Sequence, residues 1–170
     1  MPGTPDPVLG SSLLTHAVGA LAGVVAVLLA VRYRDDASPR TFAAVGGAVF
    51  ATLALLLWFF VRVATDEFAQ LSIPSLPTFA AIVLASGAVL FAHTALCLYL
   101  YGRAGYLSPL FVLFGATEFV VWVFLHVRGE TDPIGLYWLL FGPLVVGVAL
   151  ALAGVEYGVR RVAVGGGVGG

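Results

Sequence analysis

The stretch FAAVGGAVFATLALLLWFFV, residues 42–61, contains no charged side chain. At a rise of about 1.5 Å per residue, a helix of this length spans about 30 Å, the thickness of the hydrocarbon layer of a bilayer. Because lipid offers no hydrogen-bond partners to the backbone, a continuous apolar run of this length predicts a transmembrane helix. The strands of a membrane barrel would instead alternate in polarity over about ten residues.

Four further stretches of similar length and composition occur along the chain, at residues 12–31, 79–99, 107–127 and 134–155. The chain of 170 residues is 61% hydrophobic and only 10% charged, which is too little charge to cover the surface of a soluble domain. The sequence therefore predicts an all-α, multi-pass membrane protein of the cell membrane. Its five-helix transmembrane domain is expected to cover residues 12–161.

The distribution of the eight arginines predicts the orientation. Only Arg62 and Arg128 lie on one side of the predicted bundle, and the other six lie on the opposite side. The larger set is Arg32, Arg34, Arg40, Arg103, Arg160 and Arg161. Because cytoplasmic loops carry an excess of arginine, we expect the N-terminus outside and the C-terminus inside. Residues 1–11 would form a short extracytoplasmic segment, and the glycine-rich residues 162–170 a flexible tail.

Glu118 lies within the fourth apolar stretch, where insertion scales give a cost of about 2.5–3.5 kcal/mol for a charged side chain. The turn between the third and fourth stretches is short, so these two helices should be antiparallel neighbours. Counting along both helices places His93 within about 6 Å of the depth of Glu118. The sequence therefore predicts an intramembrane Glu118–His93 pair, which serves either as an interhelical hydrogen bond or as a proton or ion relay.

A polar stripe is expected beside this pair. Ser86 and Cys97 lie seven residues before and four residues after His93, so all three share one helix face. In the fifth stretch, Pro143 lacks a backbone N–H and predicts a kink.

Small residues predict where helices approach closely. Gly19 and Gly23 form a GxxxG motif in the first stretch, and Gly147 and Gly154 lie on a similar face of the fifth. Such faces let two helix backbones come into contact in a membrane. The sequence leaves open whether the partner helix belongs to the same chain, although packing within the chain is favoured.

His16 and His126 are both expected near the outer surface. They are the candidate ligands for a haem or a metal ion, since imidazole suits both. They do not form a recognised metal-binding motif, so we expect no metal site and no cofactor. The chain also lacks a basic patch for nucleic acid.

Three functions are compatible with these features, and no sequence motif specifies any of them. The first is a non-catalytic accessory or assembly subunit of a membrane complex, favoured by the short loops and the scarcity of polar groups. The second is a small transporter or channel subunit that uses Glu118 and His93. The third is a haem- or metal-binding redox protein that uses His16 and His126. The expected partners are the bilayer and possible further membrane subunits or copies of this chain, and an enzymatic role is not favoured.

Overall fold

A computed structural model of the chain describes residues 6–66, 76–127 and 133–165. The described helices are α1 (Ser12–Arg32), α2 (Pro39–Ala64), α3 (Leu76–Ala104), α4 (Ser108–Phe124), α5 (Pro133–Leu136) and α6 (Gly142–Gly165). A π-helical turn, Tyr137–Phe141, joins α5 to α6. The predicted all-α class is confirmed.

Four helices are long and apolar enough to cross a membrane: α1, α2, α3 and the continuous segment from α5 through α6. The fifth, α4, is a shorter apolar helix of 17 residues. Large apolar side chains such as Leu13, Leu84 and Phe111 are exposed on the outside of the bundle. An exterior of this kind is compatible with a protein embedded in a membrane.

The helix boundaries follow local capping chemistry. The side chains of Ser11 and Ser38 accept hydrogen bonds from backbone N–H groups in the first turns of α1 and α2. Pro39 then occupies the first turn of α2, where a missing N–H costs nothing. Gly105, with a φ of +66°, separates α3 from α4 in a conformation that favours glycine.

The helices pair as α1 with α4 and α2 with α3, and α6 packs against α3 and α4. Gly19 and Gly23 form the contact face of α1. A Cβ on Gly19 would lie 2.9 Å from the carbonyl oxygen of Glu118, and one on Gly23 would lie 2.8 Å from the ring of Phe114. The GxxxG face therefore packs within the chain. Gly47 allows a similar close approach of α2 to α3, since a Cβ on Gly47 would lie 2.9 Å from a backbone oxygen of α3.

The second predicted glycine face does not pack within the described part of the chain. A Cβ on Gly147 or Gly154 would meet nothing within 4 Å. The reason is the rotation of α6, which buries Ala149 and Ala153 instead. The expectation of a close internal contact at Gly147 and Gly154 is therefore corrected.

Two predicted boundaries also need correction: the end of the fourth helix and the start of the C-terminal tail. The helix expected over residues 107–127 ends at Phe124, because His126–Val127 pairs as a short antiparallel strand (β2) with Asp6–Pro7 (β1). Asp6–Pro7 thus lies against the chain that follows α4. At the other terminus α6 continues to Gly165, so the first residues of the predicted tail are helical. Residues 166–170 lie outside the described residues.

Candidate functional site

The side chain of Glu118 is hydrogen-bonded to that of His16. The Nδ1 atom of His16 lies 2.7 Å from the Oε1 atom of Glu118, and the two side chains are 52% and 26% exposed. The close approach of α1 to α4 at Gly19 brings the two residues together. His16 lies in the second turn of α1 and Glu118 six residues before the end of α4, so the pair is near the end of the bundle that carries the β1–β2 strands.

The predicted pairing of Glu118 with His93 is corrected by this geometry. The Nδ1 atom of His93 donates to the carbonyl oxygen of Val89 at 3.0 Å. Its Nε2 atom lies 3.2 Å from the hydroxyl of Thr94 and accepts from it. The hydroxyl of Tyr137 is 3.4 Å from Nδ1. His93 is completely buried, and its ring faces the π-helical turn instead of Glu118.

The other members of the predicted polar stripe are buried as well. The hydroxyl of Ser86 donates to the carbonyl oxygen of Ile134 at 2.8 Å and so joins α3 to α5. Cys97 lies in an apolar cluster with Leu98 and Leu113. The stripe on α3 therefore contributes helix-to-helix hydrogen bonds and apolar packing.

The π-helical turn lies directly before Pro143. The backbone N–H of Gly142 donates to the carbonyl of Tyr137, five residues back, and Pro143 itself has no N–H to donate. The irregular turn accommodates this missing donor. It also buries Tyr137 completely, with its hydroxyl beside His93.

His16 and His126 both contact the indole of Trp122. The ring centroids of His16 and Trp122 are 5.5 Å apart with an interplanar angle of 22°, and those of Trp122 and His126 are 4.5 Å apart. The indole Nε1 of Trp122 is buried and has no hydrogen-bond partner among the residues that the structure describes. The Nδ1 atom of His126 is 2.6 Å from the Trp122 carbonyl, and that of His16 is taken by Glu118.

The described residues contain no group of three or more His, Cys, Asp or Glu side chains placed to hold a metal ion. The imidazoles of His16 and His126 instead contact one indole, and each uses its Nδ1 atom for a hydrogen bond within the chain. This part of the structure therefore contains an aromatic cluster with a hydrogen bond from His16 to Glu118 at its edge.

Arg62 is a buried residue that the sequence pattern did not reveal. It was counted among the loop arginines, yet only 2% of it is exposed. Its two terminal nitrogens lie 3.4 Å from the carbonyl oxygens of Phe124 and His126, so it binds the C-terminal end of α4. Arg62 lies four residues after Trp58, so the two side chains share one face of α2, and Trp58 is also buried. This spacing was the sign in the sequence that Arg62 points into the bundle.

Glu156 is the second residue that was missed. Its carboxylate accepts hydrogen bonds from the backbone N–H groups of Leu107 and Ser108, at 3.0 and 2.8 Å, and from the Ser108 hydroxyl. Arg160 binds the same carboxylate and also donates to the carbonyl of Gly105 at 2.7 Å. These bonds tie α6 to the start of α4, which has no side-chain cap of its own.

Comparison with known family models, curated proteins and solved structures gives no match for this chain. The exposure of each polar group therefore indicates what chemistry it can carry out. The Glu118–His16 pair is partly exposed and contains two groups that can take up a proton. The His93 group is buried and hydrogen-bonded on both ring nitrogens, which suits a structural role.

Proposed function

We propose that this chain is a multi-pass integral protein of the cell membrane and a non-catalytic accessory or assembly subunit of a membrane complex. The observation that carries the proposal is the glycine face of α6, which the described residues of the chain leave uncovered. In this proposal the N-terminus lies outside and the C-terminus lies in the cytoplasm. Six arginines at one end of the bundle support this orientation.

The polar groups of the interior also support a non-catalytic role. His93 and Ser86 bind backbone carbonyls, and Glu156 binds the N-terminal end of α4. These are interactions that hold helices together in the absence of a hydrophobic driving force between them.

The uncovered face of α6 has the composition of a helix-packing surface. Gly147 and Gly154 have open space where a side chain would be, and Leu144 and Val155 beside them are exposed. In a membrane, such a small-residue face allows the backbone of another helix to approach closely. We therefore propose that α6 carries the contact to the neighbouring subunit.

Gly154→Leu tests this surface. The side chain meets nothing within the protomer, so the folded monomer should keep its thermal stability, while the assembly recovered in mild detergent should fall about tenfold or more. Gly115→Leu is the matched control, because its Cβ also meets nothing within 4 Å. Size-exclusion chromatography with mass spectrometry measures the assembly. A purely monomeric native protein, or equal assembly of both variants, would contradict the proposal.

Orientation is tested by cysteine labelling on a Cys97→Ala background. Single cysteines at positions 36 and 163 should be protected from an impermeant thiol reagent in intact cells, and those at positions 69 and 131 should react. The reason is the arginine excess on the side of positions 36 and 163. Reversed reactivity at two of the four positions would refute the N-outside arrangement.

A second candidate function is favoured by the contact between Glu118 and His16. A carboxylate and an imidazole in contact, on two packed helices, form a proton-binding site that is partly exposed. The transporter or channel subunit proposed on this basis would use His16 in place of His93. The test of this role is the Glu118→Gln variant described in the Discussion.

A further inference from the structure

A cavity of about 620 Å³ lies between α1 and α2. These helices follow each other in the chain, yet in its described part α1 packs on α4 and α2 packs on α3, without an extended contact between α1 and α2. Small residues on both helices border the space between them, among them Ala22, Ala26 and Gly46. Leu98 of α3 and Leu113 of α4 also line it. We call this feature the α1–α2 cavity.

The dimensions of the cavity limit what can occupy it. Its lining extends along α2 from Thr41 to Leu57, which is about 24 Å at the rise of a helix. Volume divided by length then gives a mean cross-section of about 26 Å². A helix about 10 Å across has a cross-section of roughly 80 Å², so a transmembrane helix does not fit. Hydrocarbon chains in contact, about 4.5 Å apart, take up roughly 20 Å² each, so one such chain does fit.

The polar side chains at one end of the cavity are already paired within the chain. Beside the turn between α1 and α2, the carboxylate of Asp36 lies 3.9 Å from Arg32, and the ring of Tyr33 lies under the same guanidinium. The hydroxyl of Thr41 is 3.0 Å from that of Ser38. Asp36 is the one charged residue in the described lining, and Arg32 compensates it. This end therefore offers no unmatched charge that would select a headgroup.

The two threonines deeper in the cavity are engaged as well. The hydroxyl of Thr117 donates to the carbonyl oxygen of Leu113 at 2.7 Å, and that of Thr94 is hydrogen-bonded to His93 at 3.2 Å. The rest of the described lining is apolar. An occupant with polar groups along its length would lose hydrogen bonds to water without gaining partners here. The lining therefore suits a plain hydrocarbon chain.

We propose that the α1–α2 cavity binds one hydrocarbon chain of a membrane phospholipid and selects it by its length, without selecting the headgroup. With C–C bonds of about 1.5 Å an extended chain rises about 1.25 Å per carbon, so about 18 carbons fill most of the cavity. A chain in the cavity touches four helices, α1 to α4, and gains more dispersion contacts than one on the flat exterior. The inference rests on the membrane placement proposed above and not on the role as an accessory subunit.

The test uses purified, delipidated protein in neutral detergent and a phosphatidylcholine with a photoactivatable group in a chain of 18 carbons. Peptide mass spectrometry locates the label. Labelling of the cavity lining should saturate at one lipid per protomer, whereas labelling at the exposed Leu84, outside the lining, should rise in proportion to the lipid added. Unlabelled phosphatidylglycerol and phosphatidylcholine with chains of 18 carbons should compete equally well. Phosphatidylcholine with chains of 12 carbons should compete several-fold less well, since it leaves contacts in the cavity unmade.

Filling the cavity tests the position of the chain. Ala26→Phe should reduce the saturable labelling several-fold, whereas Leu28→Phe, on α1 but outside the lining, should not. Val49→Trp is a second filling variant, with Leu56→Trp as its control on α2, should Ala26→Phe fail to fold.

Three results would overturn the proposal. They are labelling of the lining that does not saturate, full labelling in both filling variants, and a headgroup preference of about fivefold or more, the effect of one charge at a membrane surface. Carbonate extraction of the protein from membranes separates these results from a failure of membrane placement.

Discussion

Gly19→Leu is expected to destabilise the bundle by about 3 kcal/mol or more, the upper part of the range for overpacked interiors. A Cβ at this position would lie 2.9 Å from the backbone oxygen of Glu118, and a backbone atom cannot move aside as the end of a flexible side chain can. The helices α1 and α4 would have to separate. Unfolding of the monomer in a mixed detergent, followed by circular dichroism, measures the loss.

Gly147→Leu is the control for this prediction. It makes the same change of residue type within a helix, but its side chain enters open space. The monomer should therefore unfold at nearly the wild-type denaturant concentration. Gly23→Leu should behave like Gly19→Leu, since its Cβ would lie 2.8 Å from the ring of Phe114 and 2.9 Å from its backbone oxygen. Equal stability of the Gly19 and Gly147 variants would refute the α1–α4 packing.

Glu118→Gln is expected to separate the two candidate functions. The glutamine amide oxygen can accept the hydrogen bond from His16 that the carboxylate accepts at 2.7 Å, but it cannot bind a proton. If the pair carries protons, the variant should fold normally and lose its pH-dependent flux in reconstituted vesicles. If the pair only joins α1 to α4, the variant should retain its stability and its assembly.

Glu118→Leu completes the comparison. Leucine removes the acceptor, so the hydrogen bond from His16 is lost, and the stability of the α1–α4 contact should fall below that of the glutamine variant. His93→Gln should leave any flux unchanged, because His93 lies in a separate buried group. Flux that survives Glu118→Gln but disappears in His93→Gln would contradict the assignment of proton binding to Glu118.

The position of Glu118 shows what the sequence pattern could predict and what it could not. The apolar pattern assigned Glu118 to the fourth helix, where the structure also has it, and counting residues along two helices predicted similar depths for Glu118 and His93. The choice of partner also depends on the rotation of each helix about its axis. That rotation follows from the contact at Gly19, which turns Glu118 toward α1 and His16.

The glycines show the same limit. The motif of Gly19 and Gly23 and the motif of Gly147 and Gly154 predict the same kind of close packing. Among the described residues, only the first pair lies against another helix. Small residues permit a close approach, and the number of neighbouring helices decides which approach occurs. Burial of Ala149 and Ala153 turns the other face of α6 outward.

The formation of helices follows from local chemistry. A continuous apolar run specifies a helix without reference to the rest of the chain. Its start is marked by residues such as Ser38 and Pro39, and its end by a residue such as Gly105. The all-α class and the five apolar segments could therefore be recognised in the residues alone. The strand pairing of β1 with β2 depends on contacts between distant residues and was not expected.

Tertiary packing decided the pairing of Glu118 with His16, the burial of Arg62 and the separation of α1 from α2. Each depends on the direction in which a side chain points and on which helices are neighbours. Hydropathy averages over a helix and carries little information on direction when, as here, almost every position is apolar. For this reason the apolar segments can be recognised in the residue order, whereas the pairing of Glu118 with His16 and the separation of α1 from α2 arise only when the helices are assembled.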